Sequence, residues 1–388
     1  MTNYKRFIEK ELRELAKGYP VVTVIGPRQS GKTTLTTHVF KDKPYVNLEQ
    51  IDVQEMANDD PRGFLEKYPH GAILDEIQRT PKLLSYIQVV VDQKDQKGMF
   101  ILTGSHQMAL HEAISQSLAG RTALLTLLPL SLAELEASGV HQDLDTSIFY
   151  GGYPRIYKDK LDPTRAYRSY FQTYVERDLR QLIHIRDLSQ FQRFIKVCVG
   201  RIGQILNLEG IAGDVGISSN TVKEWLSILE ASFIIFRLQP YFENFGKRAI
   251  KAPKLYFSDV GLATYLLGIE NLEQLSRDPL RGNLVENLVV LELMKGRQNQ
   301  GLDPQLYFYR DAHQNEVDVI YQKGRQLVPI EVKAGRTFHR EFLKNLEFFK
   351  ELVGERCEGG YLIYSGDEEQ KIQAHRVINY RSASDVTK

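Results

Sequence analysis

The stretch GPRQSGKTT, residues 26–34, decides the fold of the first part of this 388-residue chain. It matches the pattern G-x-x-x-x-G-K-[ST] in full, follows the apolar run VVTVI and precedes a helical pattern. Glycines at this spacing let backbone N–H groups turn inward on a phosphate, and the start of the next helix adds its positive dipole end. The sequence therefore predicts a phosphate-binding loop between a strand and a helix.

This loop is expected to bind ATP together with Mg²⁺. The Lys32 ammonium would bridge the β- and γ-phosphates, and the Thr33 hydroxyl would ligate the metal ion. The residues expected to contact the nucleotide are Gly26, Pro27, Arg28, Gln29, Ser30, Gly31, Lys32, Thr33 and Thr34.

Polar residues follow two further apolar runs. The run in GAILDEIQ ends in Asp75 and Glu76, of which the first suits the Mg²⁺ shell and the second could polarise the attacking water. Alone, the two acids would more simply be solvated residues that terminate a strand, but the phosphate loop favours the catalytic interpretation. In FILTGSHQ, Thr103 and Ser105 come just past a buried strand, where a γ-phosphate sensor could lie.

Two arginines are candidates for contacting the γ-phosphate: Arg121 in SLAGRTALL and Arg79 in DEIQRTP. An arginine in a loop is more often an ordinary surface charge. The contact could come from the same chain or from a neighbouring one. The second possibility would require a dimer or a ring, so a homo-oligomer is a possible state.

Short β-rich runs alternate with helical patterns in the first third of the chain, as in a parallel sheet with helices on both faces. The runs are mostly apolar, which is typical of strands covered on both sides. The predicted strands are VVTVI (21–25), YVNL (45–48), AILD (72–75), MFILTG (99–104) and TALLTL (122–127). The fold class is therefore α/β for this part.

Composition restricts partners and compartment. The formal net charge of +1 shows no global basicity, so a nucleic-acid partner would have to be met by a local patch. Cys198 and Cys357 lie far apart and form no metal or disulfide pattern, which favours a reduced, cytoplasmic setting. No signal peptide or membrane span is recognisable, so no membrane partner is expected.

A helix-turn-helix pattern follows in LEGIAGDVGISSNTVKEWLSILE, with Gly216 as the turn and Trp225 as a core residue of the second helix. Two β-rich runs joined by a basic loop come next and complete a winged-helix pattern. DNA is the expected partner, through phosphate contacts of the basic wing. Its cations are Lys247, Arg248, Lys251 and Lys254. The alternative is a helical unit that serves only for packing.

The segment NEVDVIYQKGRQLVPIEVK predicts a hairpin. Lys323-Gly324 suits a two-residue turn with Gly324 at positive φ. That turn predicts three facing pairs: Gln322 with Arg325, Asp318 with Pro329, and Glu316 with Glu331. Because side chains alternate along a strand, Asp318, Glu331 and Lys333 would project from one face. Asp318 and Glu331 would be diagonal neighbours about 7–8 Å apart between Cα atoms, close enough to share one Mg²⁺.

Five motifs in order, GPRQSGKTT, LDEIQRTP, ILTGS, SLAGR and GGYPRIY, resemble the bacterial and archaeal AAA-type ATPases that carry an uncharacterised C-terminal domain. This resemblance covers nearly the whole chain and implies an ATP-binding P-loop core with a polar sensor, here Thr103 or Ser105. Paired glycines and a proline also make GGYPRIY a predicted hinge.

Residues 281–366 resemble the restriction-endonuclease-like fold. That resemblance implies Mg²⁺ held by Asp318 and Glu331, Lys333 orienting or activating water, and Glu286 assisting from the preceding helix. The proline expected before the first acid is absent, since Val317 stands there, which leaves nuclease activity open. A surface ladder of Lys333 with carboxylates is the structural alternative.

Three units are predicted: a P-loop ATPase domain at 1–140, a helical and winged-helix domain at 141–254, and an endonuclease-like domain at 255–388. The leading hypothesis is a Mg²⁺-dependent ATPase whose nucleotide state controls the later units, acting on DNA. The alternatives are an ATP-controlled Mg²⁺-dependent nuclease and a nucleotide-dependent interaction switch without nuclease activity.

Overall fold

A computed structural model describes residues 4–94, 96–105, 117–176, 188–242 and 251–388. The chain divides into two compact units. Unit 1 consists of Met1–Leu130, Ala231–Phe233 and Gln298–Leu302. Unit 2 consists of Ser131–Glu230, Ile234–Arg297 and Asp303–Lys388.

A five-stranded sheet forms the centre of unit 1, in the order β2-β3-β4-β1-β5 with every pair parallel. Its strands are β1 (Val21–Ile25), β2 (Tyr45–Asn47), β3 (Ile73–Asp75), β4 (Phe100–Gly104) and β5 (Thr122–Thr126). The five predicted strands and their parallel arrangement are therefore confirmed. The helices are α1 (Glu9–Gly18), α2 (Lys32–Val39), α3 (Ile51–Asp59), α4 (Pro61–Glu66) and α5 (Leu83–Lys94), with a 3₁₀ turn at Ile77–Arg79.

Burial explains the central strands. Every residue of β1, β3 and β4 is buried, as expected for strands with helices on both faces. Leu12 of α1 and Leu35 of α2 belong to the same core cluster as Val22 and Val24 of β1. Because the strands are parallel, the loops that follow β1, β3 and β4 lie at one edge of the sheet.

Unit 2 begins with helices and ends with a mixed sheet. Its helices are α6 (Leu132–Glu136), α7 (Leu144–Tyr150), α8 (Pro154–Lys158), α9 (Pro163–Tyr170), α10 (Leu188–Val199), α11 (Leu208–Val215), α12 (Ser219–Ala231), α13 (Val260–Leu266), α14 (Leu272–Arg277), α15 (Arg281–Gln298) and α16 (Lys344–Val353). A π-helical turn follows α9 at Phe171–Glu176, and 3₁₀ turns lie at Arg340–Leu343, Gly354–Arg356 and Tyr380–Thr387.

The predicted helix-turn-helix elements are present as α11 and α12. Gly216 adopts φ +80° and ends α11, as its place in the predicted turn requires. Trp225 packs edge-on against Phe191 and Phe194 of α10, with ring centroids 5.3 Å apart in both pairs. Trp225 is therefore a core residue, as expected.

Eight strands form the sheet of unit 2, in the order β12-β13-β11-β10-β9-β8-β6-β7. They are β6 (Ile235–Pro240), β7 (Lys254–Phe257), β8 (Leu306–Arg310), β9 (Glu316–Lys323), β10 (Gln326–Lys333), β11 (Tyr361–Tyr364), β12 (Gln370–Ile372) and β13 (His375–Asn379). The two strands expected for a wing, β6 and β7, do pair antiparallel, but β6 also pairs parallel with β8. One sheet therefore spans the division predicted after Lys254.

The hairpin β9–β10 forms with a different turn from the predicted one. Lys323 faces Gln326, so the two turn residues are Gly324 and Arg325, and Gly324 adopts φ +62° as expected. The register continues to Val319 opposite Ile330. The predicted facing pairs are therefore wrong by two residues: Pro329 faces Ile320, not Asp318. A slip of two preserves the face of every side chain, because side chains alternate with period two.

The GGYPRIY stretch is packed, which does not fit the predicted hinge. Gly151, Gly152 and Tyr153 are buried, and Gly151 adopts φ +63°. A Cβ atom on Gly151 would lie 2.1 Å from the Tyr167 hydroxyl and 2.4 Å from a carboxylate oxygen of Asp259. The glycine is therefore required by a close approach of side chains.

Within the described parts of the chain, no helix combines the length and the apolar character needed to cross a membrane.

Candidate functional site

The loop between β1 and α2 has the backbone that a phosphate loop needs. Gly26 adopts φ +152°, and a Cβ atom there would lie 2.1 Å from the carbonyl oxygen of Leu127. Gly31, the N-cap residue of α2, adopts φ +96° and has no side chain to accept from the first-turn N–H groups. Those N–H groups therefore remain available at a positive helix end, the ordinary setting for a bound phosphate.

A buried arginine holds this loop from behind. Arg6 donates one hydrogen bond to the carbonyl oxygen of Ser30 at 2.8 Å and another to that of Leu128 at 2.6 Å. No motif indicates this role, because Arg6 stands outside all of them. Arg6 therefore fixes the loop to the segment after β5.

Lys32 is buried and folded onto its own loop. Its ammonium donates to the carbonyl oxygens of Gly26 at 3.0 Å and Pro27 at 2.9 Å. Burial lowers the pKa of Lys32 to about 8, against the opposing effect of Glu76 and Asp75. A triphosphate would restore the proton affinity of this group, because an anion stabilises the charged form.

Asp75 ends β3 and collects three hydroxyl donors. Thr33 donates to one carboxylate oxygen at 2.9 Å and Tyr45 to the same oxygen at 2.7 Å, while Thr103 donates to the other. Burial and the hydrogen bond to Asp75 raise the pKa of Tyr45. Tyr45 was not among the predicted site residues. The predicted Asp75, Thr33 and Thr103 are thus brought together by the ends of three elements.

Glu76 and Ser105 lie beside this group. Ser105 donates to a Glu76 carboxylate oxygen at 3.1 Å, and Gln78, which was not among the predicted site residues, donates to the same oxygen. The backbone N–H of Glu76 donates to the Thr103 hydroxyl at 3.2 Å. Glu76 adopts φ +58°, a conformation uncommon for a residue with a Cβ atom. Its carboxylate is therefore held in one orientation by two side chains.

The residues at Asp75 fit a magnesium ion. Thr33 is half-buried, and its hydroxyl donates its proton to Asp75, which leaves oxygen lone pairs for a metal ion. Oxygen ligands from one hydroxyl and one nearby carboxylate match the preference of Mg²⁺, which keeps several waters and binds substrate phosphates. The predicted pair of metal residues, Thr33 and Asp75, is therefore a consistent set.

Arg121 lies at the wrong edge of the sheet for a contact within the chain. It directly precedes β5, whose first residue Thr122 pairs with Val21 at the start of β1. The phosphate loop begins five residues later, about 16 Å away at the rise of a β-strand. Arg121 instead pairs with Asp92, with nitrogen–oxygen distances of 2.6 and 2.8 Å. The possibility that Arg121 contacts the γ-phosphate in the same chain is therefore wrong.

Arg79 lies close to the phosphate loop, beside the Glu49 carboxylate that it shares with Arg28. Its guanidinium is 3.7 Å from Glu49, the carboxylate that also accepts from Arg28 of the phosphate loop at 2.8 Å. These side chains are partly exposed. Arg79 thus lies near the predicted site, whereas Arg121 does not.

The acidic residues expected for the endonuclease-like site do meet in unit 2. Lys333 of β10 lies 2.8 Å from Glu331 and 3.9 Å from Asp318, whose carboxylate accepts from the Val332 N–H at 2.8 Å. Burial, followed by the neighbouring Asp318 carboxylate, raises the pKa of Glu331 to about 8. Asn345 of α16 also donates to Glu331, at 3.1 Å.

Lys254, expected to contact DNA, instead lies buried in this group. Its ammonium is 2.9 Å from Glu286 of α15 and 2.6 Å from Glu316 of β9. Burial opposes its charge, but Glu286, Asp318 and Glu316 raise the pKa of Lys254 above its usual range. The assignment of Lys254 to a basic wing is therefore wrong, because its side chain is 3% exposed and fully paired. We call Glu286, Glu316, Asp318, Glu331, Lys254 and Lys333 the acidic cluster.

Of the other predicted wing cations, Lys251 is exposed, and Lys247 and Arg248 lie outside the described residues. On α12, Asn220 and Lys223 are exposed. The second helix of the pair thus presents polar side chains on the face opposite its core residues.

Three protein-family descriptions match the chain. Residues 18–136 match "AAA domain", residues 141–273 match "Domain of unknown function (DUF8612)", and residues 281–383 match "Domain of unknown function (DUF4143)". Two uncharacterised proteins, Rv2008c of Mycobacterium tuberculosis and Mb2031c of Mycobacterium bovis, are each 30% identical to it. The similarity extends over 339 residues, which are 86% of this chain and 74% of each relative. The chain belongs to the family of these mycobacterial proteins.

Among solved structures, the Walker-type ATPase paby2304 of Pyrococcus abyssi aligns with a TM-score of 0.44 at 15% identity. It covers 69% of this chain and 96% of that protein. AMPPCP-bound DnaA from Aquifex aeolicus aligns with a TM-score of 0.29 at 15% identity over 57% of this chain and 85% of DnaA.

Unit 1 of this family member therefore contains an AAA-type P-loop ATPase domain. The match of residues 18–136 to the AAA domain and the parallel five-stranded sheet both support this assignment. The description of residues 281–383 assigns no function to the acidic cluster.

Proposed function

We propose that this protein hydrolyses ATP with Mg²⁺ at the carboxyl edge of the unit 1 sheet, and that nucleotide state controls unit 2. One observation carries the proposal: the Thr33 hydroxyl donates to Asp75 while Glu76, the next residue, is held by Ser105 and Gln78. That arrangement supports the assignment of Thr33 and Asp75 as metal ligands and of Glu76 as an oriented base next to the phosphate loop.

The residues of the chain divide the reaction between them. Thr33 and Asp75 would hold Mg²⁺, which neutralises charge on the phosphate oxygens. Lys32 leaves the carbonyl oxygens of its own loop and donates to the triphosphate. The Glu76 carboxylate accepts a proton from water as the water oxygen bonds to the γ-phosphorus and the bond to the β–γ bridging oxygen breaks. Ser105 keeps that carboxylate in place.

Replacing Glu76 with glutamine is expected to lower kcat for ATP hydrolysis by about 100-fold or more while ATP still binds. The amide keeps the size of the side chain but cannot accept the proton. The measurement is phosphate release in parallel with equilibrium binding of a fluorescent ATP analogue. Glu49→Gln serves as the matched control, because Glu49 is an acid near the same loop that has no part in proton transfer. Equal turnover of Glu76→Gln and wild type would remove Glu76 from the mechanism.

DNA is the proposed partner of the α11–α12 helix pair. The exposed Asn220 and Lys223 on α12 support this proposal, together with the exposed Lys251. DNA is expected to stimulate ATP hydrolysis, and the stimulation should decline as salt rises, because phosphate contacts release counterions. Lys223→Glu should weaken it, whereas Lys158→Glu, at an exposed lysine elsewhere in unit 2, should not. The assay compares single-stranded, duplex and branched DNA. Stimulation of ATP hydrolysis that does not change with salt concentration would contradict phosphate contacts.

Unit 2 has two candidate functions: a Mg²⁺-dependent nuclease and an interaction switch without cleavage. The meeting of Asp318, Glu331 and Lys333 favours the first, whereas the protein donors already bonded to the carboxylates favour the second. We propose the interaction switch. In that scheme Arg121 would act only across subunits, in a homo-oligomer.

A cytoplasmic location is proposed from the two buried free cysteines, Cys198 and Cys357.

A further inference from the structure

The carboxylates of the acidic cluster are all bonded by protein donors. Glu286 accepts from Lys254 and Tyr256, and Glu316 accepts from Lys254 and lies 3.1 Å from Arg310. Asp318 accepts from a backbone N–H, and Glu331 accepts from Lys333 and Asn345. In the part of the chain that the structure describes, no group of three or more His, Cys, Asp or Glu side chains could hold a metal ion.

Lys254 is the most enclosed cation of the cluster. Its side chain is 3% exposed, against 31% for Lys333. It comes from β7, whereas its two carboxylate partners come from α15 and β9. The lysine therefore joins three elements that are separate in sequence, and it neutralises acids that would otherwise repel each other.

We propose that Lys254 is the resident cation of the acidic cluster. Its ammonium pairs with the Glu286 and Glu316 carboxylates in place of a divalent ion, and the folded protein binds no Mg²⁺ there. Asp318 and Glu331, the ligands that a restriction-endonuclease-like site would offer to Mg²⁺, are bonded by other donors of the protein: the Val332 N–H, Lys333 and Asn345. The cluster fastens β7 and α15 to the β9–β10 hairpin. This inference concerns a part of the molecule that the ATPase reaction does not use.

The proposal is tested by measuring Mn²⁺ binding to the nucleotide-free full chain with electron paramagnetic resonance. All samples carry Asp75→Asn, so that no ion is held beside Thr33. The parent, which carries Asp75→Asn alone, is expected to bind no Mn²⁺ and therefore to leave the signal of free Mn²⁺ at full amplitude. Lys254→Met is expected to bind Mn²⁺ at least about tenfold more tightly, because Glu286 and Glu316 then lack their enclosed cation.

Lys295→Met is the matched control. Lys295 is also a buried lysine on a carboxylate, 2.9 Å from Glu292 with 7% of its side chain exposed, but it lies outside the cluster. Both variants should lower the thermal midpoint of unit 2, monitored by Trp225, the single tryptophan of the chain. Added Mg²⁺ should restore the midpoint of Lys254→Met and leave that of Lys295→Met unchanged.

Two results would overturn the proposal. The first is stoichiometric Mn²⁺ binding by the parent that disappears in Asp318→Asn; this comparison decides the matter even if Lys254→Met does not fold. The second is a folded Lys254→Met protein that neither binds Mn²⁺ nor gains stability from Mg²⁺. Neither result depends on ATP hydrolysis, so the proposed ATPase function stands or falls separately.

Discussion

Replacing Lys32 with alanine is expected to lower kcat for ATP hydrolysis by about 100- to 1000-fold, the usual cost of removing one preorganised charge from a transition state. Lys32 is 5% exposed, so its ammonium acts in a site from which most water is excluded. The variant also lacks the donor to the carbonyl oxygens of Gly26 and Pro27. Phosphate release under saturating ATP measures the effect.

Lys43→Ala is the matched control for this change. Lys43 is another partly buried lysine of unit 1 that donates to backbone carbonyl oxygens, those of Met99 at 3.0 Å and His70 at 3.4 Å. The Lys43→Ala protein should be less stable than wild type but should hydrolyse ATP at the wild-type rate. Turnover by Lys32→Ala close to that of wild type would remove the phosphate loop from the reaction, and with it the proposed function.

The pKa of Lys32 gives the same prediction a pH signature. The free protein holds this pKa at about 8, below the usual 10.5, so the ammonium loses its proton as pH rises past 8. Bound triphosphate raises the pKa again, so binding takes up a proton in that range and ATP affinity falls with rising pH. Calorimetry in buffers of different ionisation enthalpy should detect the proton. Lys32→Ala should show no such uptake.

The phosphate-loop motif and the apolar runs were sufficient to predict the sheet of unit 1. The strands were predictable because runs such as VVTVI are apolar throughout, and a parallel strand covered on both faces requires that. Three site residues were not predicted: Arg6 and Tyr45 belong to no motif, and Gln78 lies within LDEIQRTP but was given no role. Arg6 reaches the loop and Tyr45 reaches Asp75 through hydrogen bonds that only the fold brings about, whereas Gln78 bonds Glu76 two residues away.

Errors in unit 2 have local physical causes. The turn was placed one residue early, at Lys323-Gly324 in place of Gly324-Arg325, which moved the whole register by two residues. The strands β12 and β13 were not predicted, because residues 370–379 contain no apolar run.

Two cations were misplaced for a common reason. A lysine in a basic segment looks solvated in sequence, and the partners that bury Lys254 lie on α15 and β9, far along the chain. Likewise Arg121 looks close to the nucleotide until the parallel pairing of β1 and β5 places it at the opposite edge. Charge patterns therefore identified candidate residues, but only the sheet topology assigned them to a site.

Replacing Asp259 with alanine is expected to lower the free energy of unfolding of unit 2 by about 3–5 kcal/mol, because three buried neutral donors lose their acceptor at about 1–3 kcal/mol for each unsatisfied group. Asp259 is 3% exposed, and burial raises the pKa of its carboxyl. It accepts from the N–H groups of Gly152 at 2.7 Å and Leu262 at 3.0 Å, and from the Tyr167 hydroxyl at 2.6 Å. All three donors would be left in a space closed to water.

Asp162→Ala provides the comparison that isolates burial. Asp162 is also an N-cap, accepting from the Arg165 N–H at 2.9 Å at the start of α9, but it is exposed, so its loss should cost about 1 kcal/mol. Asp259→Asn keeps an acceptor oxygen and should cost less than Asp259→Ala. Urea unfolding followed by Trp225 fluorescence reports unit 2 alone, because the chain has one tryptophan. If both alanine variants lost equal stability, Asp259 would be an ordinary helix cap, and the GGYPRIY segment would owe its fixed position to other contacts.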